Sequence, residues 1–191
     1  MPDKSKIRKE ILAKRRMMTS DECAARSRKI CEIFLASEYY GNASTILLYK
    51  AYNNEVDTDM IFERARRDKK TVAYPVSDIA DGESVLTFYE ITESSQLREG
   101  YKGIPEPDTS LGLKKFEGFA DVCITPGVAF DRSCNRIGYG KAFYDRYLRK
   151  SCPKNVIGLA YDIQIVDDIT AEDSDIPVDT VITESGIITR R

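Results

Sequence analysis

The chain has 191 residues, 42% of them hydrophobic and 31% charged, with a formal net charge of −2. That balance fits a folded domain with a substantial core, not a disordered chain. The charge gives no general basis for nucleic-acid binding, no apolar run is long enough for a membrane span, and the absence of histidine excludes Ser-His-Asp and Cys-His machinery.

Five cysteines, an odd number without a C-x-x-C pair, argue for reduced thiols over a disulfide framework or a zinc site. The charged start lacks the apolar stretch of a signal peptide. A cytoplasmic protein is expected, built as a single domain over residues 1–191, with a monomer favoured and neither nucleic acid nor membrane as a partner.

Residues 4–18 read as a helix with Asp3 as N-cap and an apolar stripe of Ile7, Ile11, Leu12 and Met18. A second helix is expected from Ser20 to about Ser37, opened by a capping box of Thr19 and Glu22. Residues 1–30 hold ten Lys/Arg against four Asp/Glu, read mostly as a solvated basic face. Lys4 and Arg8 are four apart, so they share a helix face and can converge on one anion. Thr45–Tyr49 reads as a buried strand. Asp57 or Thr58 then caps a helix to about Asp68. Thr71–Tyr74 is expected as a strand stopped by Pro75, and Leu86–Ile91 as another. Residues 92–118 read as mostly loop, a candidate flap. Val122–Thr125, Val156–Tyr161 and Thr180–Thr183 complete the strands, with a helix from about Lys141 to Lys150. Strands alternating with helices predict an α/β layered fold, a largely parallel central sheet flanked by helices, with an N-terminal helical pair.

Asn135-Arg136-Ile137-Gly138-Tyr139-Gly140-Lys141-Ala142-Phe143-Tyr144-Asp145 carries the most chemistry. Gly138 and Gly140 allow close backbone approach to a ligand. Arg136 and Lys141 add positive charge, and a following helix N-terminus favours anions. Asp145 is a hard oxygen ligand of the kind Mg²⁺ takes. These features point to a phosphate site. It is not a Walker A loop, since Ala142 follows Lys141, and not a dinucleotide fingerprint, since Phe143 stands where Gly or Ala is needed. Without histidine, catalysis must rest on positioning, cations, carboxylates or a metal, a toolkit suited to phosphoryl transfer.

With Ile124-Thr125-Pro126-Gly127-Val128-Ala129-Phe130-Asp131 just upstream, this stretch resembles the signature of the 5-formyltetrahydrofolate cyclo-ligase family. Lys4-Ser5-Lys6-Ile7-Arg8, Asn54-Glu55-Val56-Asp57-Thr58, Gly103-Ile104-Pro105-Glu106-Pro107 and Asp175-Ile176-Pro177-Val178-Asp179 extend the resemblance along nearly the whole chain. The family often has Gly where Cys134 and Ala142 stand, and Tyr where Phe143 stands. The resemblance implies ATP-dependent cyclisation of 5-formyltetrahydrofolate to 5,10-methenyltetrahydrofolate, with ADP and phosphate released. It implies ATP contacts from Lys4, Arg8 and residues 136–144 (Arg136, Ile137, Gly138, Tyr139, Gly140, Lys141, Ala142, Phe143, Tyr144). Lys50, Glu55, Tyr139, Gly140, Lys141, Ala142 and Phe143 would line the folate site, with Arg136, Lys141 and Glu55 in catalysis. Mg²⁺ would sit on Asp145 and Asp175, with Asp173 and Asp179 as close rivals of the latter. The three departures admit a second reading, a folate- or nucleotide-binding regulatory protein without turnover. Cys134, two residues before Arg136, is expected to be exposed and reactive.

Overall fold

The computed structural model describes residues 3–190. Its elements, in chain order, begin with α1 (Lys4–Met17), α2 (Ser20–Leu35), α3 (Glu38–Gly41), β1 (Thr45–Leu47) and α4 (Asp59–Arg67). A hairpin of β2 (Thr71–Ala80) and β3 (Glu83–Glu90) follows, then β4 (Leu97–Glu99), β5 (Pro105–Pro107) and β6 (Val122–Thr125). The rest is β7 (Ala129–Asp131), β8 (Arg136–Ile137), α5 (Phe143–Ser151), β9 (Asn155–Leu159), β10 (Ile165–Val166), β11 (Thr180–Thr183) and β12 (Gly186–Thr189).

The helix starts follow from local chemistry. Asp3 accepts the Ser5 N–H, and Thr19 and Glu22 cap each other reciprocally. At α4 the carboxylate of Asp57 accepts the Asp59 N–H, while the Thr58 hydroxyl donates back to the Tyr49 carbonyl. Asp57 is therefore the capping side chain.

The main sheet runs in the order β12-β11-β9-β6-β1-β2-β3. Its four central pairings are parallel, and the pairings at both ends are antiparallel. Both faces are covered, so successive residues enter different cores. Ile46, Leu48, Val122, Ile124, Ile157 and Ile182 pack with Ile30, Phe34, Ile61 and Phe62 of α2 and α4. Leu47, Cys123, Val156 and Val181 face the other way, toward Leu148 of α5. A third cluster seats Ile7 and Ile11 of α1 on Val128, Ala129 and Ile137. It docks the N-terminal helix onto the small sheet β10-β7-β8.

From β1 the chain moves to β2 on one side, and later to β6, β9 and β11 on the other. Strand order therefore reverses between β1 and β6. The crevice beyond their carboxyl ends is where open α/β sheets bind ligands. The loops 48–58 and 126–142 both start there.

Three expectations need correction. Pro75 does not stop β2, which continues to Ala80. Its pairing with β1 ends at Ala73, so Pro75 lies where that side has no ladder to serve. Residues 92–118 are not plain loop: β4 pairs β5, and Lys115 bridges to Tyr89. The helix expected at Lys141 begins at Phe143, because Ala142 holds a left-handed conformation at φ 51° and acts as its N-cap.

Candidate active site

A cavity of about 510 Å³ opens at this crevice. Every expected site residue lines it: Lys4 and Arg8 of α1, Lys50, Glu55, the run 136–145 and Asp175. The wall also includes residues given no role from sequence, among them Tyr52, Asn53, Tyr101, Glu106 and Glu172.

The glycine loop is shaped by its surroundings. Gly127 and Gly158 leave room for the buried Phe130 ring, since a Cβ at either would come within 2.5 Å of it. Asp131 gathers the next turn by accepting the N–H groups of Ser133 and Asn135 on one oxygen and Ile169 on the other. Arg136 is turned inward. Its side chain is 4% exposed, Nη2 donates to Asp145 Oδ1 at 2.9 Å, and Nη1 donates to the Pro126 carbonyl. Gly138 passes against that guanidinium. Arg8 Nε donates to the Gly138 carbonyl at 2.8 Å, tying α1 to the loop. Lys141 stands exposed at the rim.

Lys4 and Arg8 face one cavity but hold different partners. Lys4 Nζ reaches Asp175 at 2.5 Å and Glu172 at 2.9 Å. Burial pushes the Asp175 carboxyl up, but the Glu172 N–H and the Lys4 ammonium outweigh it and hold the group below the usual carboxylate range. The Ile176 N–H donates to Asp145 Oδ1, so the two aspartate segments are in direct contact. Asp179, a rival ligand, instead binds the Val156 N–H at the other end of the sheet. Among the described residues, no three Asp, Glu or Cys side chains form a ready-made metal cage. Two carboxylates beside the glycine loop have the donor chemistry Mg²⁺ takes, an ion commonly held by one or two carboxylates plus substrate phosphates.

Glu55 is nearly buried, and its Oε2 accepts the Tyr52 N–H at 3.0 Å. Burial pushes its carboxyl up to about 7, against the pull of Arg15, the Tyr52 N–H and the Tyr139 hydroxyl. Tyr139 is 42% exposed overall, yet its hydroxyl reaches inward to Arg15 Nη2 at 2.8 Å and to Glu55. Lys50 pairs with Asp59. Phe143 packs edge-on against Tyr101 with ring centroids 5.8 Å apart, so the segment before β5 touches the glycine loop. Glu106 holds that segment, accepting the N–H groups of Tyr101 and Ser77.

Cys134 corrects a further expectation. It is fully buried, and burial and Asp131 raise its thiol above the usual range. Its φ of 63° is left-handed, as is that of Ala142. Both of these departures from the family resemblance thus fall where the backbone is left-handed, a conformation glycine adopts freely.

The largely parallel sheet, its flanking helices and the crevice at its switch point define an open-sheet α/β protein. A sequence profile described as the 5-formyltetrahydrofolate cyclo-ligase family matches residues 1–184. The chain is 32% identical over 147 residues to the Escherichia coli K12 5-formyltetrahydrofolate cyclo-ligase, covering 76% of this chain and 80% of that protein. The solution structure of Aquifex aeolicus 5,10-methenyltetrahydrofolate synthetase superimposes with a TM-score of 0.84 at 28% identity, covering 98% of this chain and 93% of that one. The Mycoplasma pneumoniae synthetase gives 0.74 at 27% identity, covering 96% and 99%. The chain belongs to the 5-formyltetrahydrofolate cyclo-ligase family.

Proposed function

We propose that the protein cyclises 5-formyltetrahydrofolate to 5,10-methenyltetrahydrofolate at the expense of ATP. The observation that carries this reading is the meeting of Glu55, the glycine loop, Lys4, Arg8 and the Asp145–Asp175 pair around one cavity. The folate would lie toward Glu55 and Lys50, with the nucleotide phosphates toward α1 and the loop. The formyl oxygen attacks the γ-phosphorus, ADP leaves, and the resulting imino-phosphate turns a poor leaving oxygen into a good one. N10 then attacks that carbon, its proton passes to the departing phosphate, and phosphate leaves as the ring closes.

In this reading Lys141 stabilises charge on the transferring phosphoryl group, and the backbone around Gly138 and Gly140 cradles its oxygens. Arg136 works from behind the loop, fixing Asp145 and the Gly138 turn. Asp145 and Asp175 would hold Mg²⁺, which would neutralise phosphate charge. Five free cysteines fit a reducing compartment, and no helix among the described residues is long and apolar enough to cross a membrane.

The test is methenyl absorbance from 5-formyltetrahydrofolate with and without Mg-ATP. Product that requires both ATP and a divalent metal supports the reading. Folate binding without ATP-dependent product overturns it in favour of a binding protein without turnover.

A further inference from the structure

Arg15 lies in the basic run Lys14-Arg15-Arg16, yet it is fully buried while its two neighbours are exposed. Its position explains this. Residues 4, 8, 11 and 15 share one helix face, so Arg15 follows Lys4, Arg8 and Ile11 toward the crevice. Its guanidinium then joins three parts of the site. Nη2 donates to the Tyr52 carbonyl at 3.2 Å, the Asn53 carbonyl at 2.5 Å and the Tyr139 hydroxyl at 2.8 Å. Nη1 reaches the Gly127 carbonyl at 3.4 Å. In return, Asn54 Nδ2 donates to the Arg15 carbonyl at 2.9 Å. Asn53 and Asn54 are both left-handed, at φ 49° and 56°. Non-glycine residues adopt that conformation in succession only when their surroundings demand it.

We infer that Arg15 is a positioning residue for the reaction: its buried guanidinium clamps the 52–54 turn and the Tyr139 hydroxyl, and so holds Glu55 toward the ligand. This rests on the reading of Glu55 as the folate-facing group. The electrostatics follow from the neighbours. Tyr139 of the glycine loop, Tyr49 after β1, Tyr144 of α5 and Tyr161 after β9 all face Glu55, the last through its backbone carbonyl. Each of these phenols is held above its usual range, first by burial, and so is neutral at working pH. Arg15 is the charged member of the set. Of the groups around Glu55, it supplies the positive charge that opposes the cost of burying a carboxylate. A lysine does not reproduce it, since a single ammonium cannot reach the Tyr52, Asn53 and Tyr139 oxygens around Nη2 and also the Gly127 carbonyl on Nη1.

The experiment follows the Glu55 carboxyl directly by ¹³C NMR in glutamate-labelled protein, with the resonance assigned by its loss in Glu55→Gln. Wild type, Arg15→Met, Arg15→Lys and Tyr139→Phe are titrated from acid to alkaline pH. The wild-type midpoint is expected at about 7. Arg15→Met should move it up by about one pH unit or more, with Tyr139→Phe moving it the same way by less. In Arg15→Met the acid limb of kcat/KM should move with the carboxyl. That is roughly a tenfold loss near pH 6, with most of the alkaline plateau kept. Arg15→Lys, which keeps the charge, should move the midpoint less than Arg15→Met; if Arg15→Met does not fold, Tyr139→Phe carries the test. A Glu55 midpoint that stays at the wild-type value in folded Arg15→Met, or in Tyr139→Phe where Arg15→Met does not fold, overturns the inference. Wild-type protein that makes no methenyl product overturns the proposed function instead, and the NMR arm still judges Arg15.

Discussion

Arg136 Nη2 sits 2.9 Å from Asp145 Oδ1, so the most buried cation of the glycine loop is neutralised by the carboxylate expected to hold the metal. Asp145 is therefore shared between a guanidinium behind it and the cavity in front. Asp145→Asn keeps the shape but removes the charge. It should raise the Mg²⁺ concentration for half-maximal rate, because a hard anionic ligand is lost. Asp175→Asn should do the same and also release Lys4. Asp179→Asn should not, because that carboxylate serves the Val156 N–H. A metal titration of the three variants checks this, and an effect confined to Asp179→Asn would reverse the assignment.

Lys141 is exposed beside Gly140, which itself has φ 90°. Lys141→Ala should lower turnover by roughly 10² or more, the scale for removing a group that stabilises transferring charge. The melting temperature should hardly change, since no core contact is lost. Wild-type turnover in this variant removes Lys141 from the chemistry.

Ala142 pays for a left-handed backbone at the N-cap of α5. An L-residue there costs about 1–2 kcal/mol, partly offset by the unfolded-state entropy that glycine adds. Ala142→Gly should therefore stabilise by about 0.5–1 kcal/mol and raise the melting temperature by a few degrees. Ala142→Val should destabilise. Calorimetry decides, and a lower melting temperature for the glycine variant would refute the strain argument.

Burial sets the thiol chemistry. Cys152 is exposed, whereas Cys31, Cys123 and Cys134 are buried, with Cys31 and Cys123 pushed up to about 12 by burial. An alkylating reagent should label Cys152 first in the native protein and leave Cys134 intact until unfolding. Mass spectrometry of the labelled peptides shows the order, and early labelling of Cys134 would contradict its burial.

Glu55 makes stability depend on pH. Its folded value of about 7 lies above the ordinary 4.5, so the unfolded chain gives up its proton more readily. The contribution is fully present below about 4.5 and is lost as pH rises through about 7. The whole effect is on the order of 3 kcal/mol. Measured against wild type, the melting temperature of Glu55→Gln should improve between pH 5 and pH 8, whatever its offset from the lost Arg15 partner. A difference that does not change with pH would mean Glu55 titrates normally.

Local signals made much of the fold legible. Caps at Asp3 and Thr19, the four-residue spacing of Lys4 and Arg8, and short apolar runs at 45–49, 122–125 and 180–183 act between near neighbours in sequence. The glycine loop and its cations were readable for the same reason. Long-range geometry decided the rest. Nothing local shows that β2 loses its β1 partner after Ala73, so Pro75 looked like a stop. Nothing local shows that Cys134 is covered by the β11–β12 region, although its carbonyl accepts the Val178 N–H and its thiol faces the Ile188 carbonyl. Arg15 looked like one more solvated cation, because its acceptors lie 37 or more residues away. Burial and partner choice are properties of the packed chain, and those properties set the charge state of Glu55.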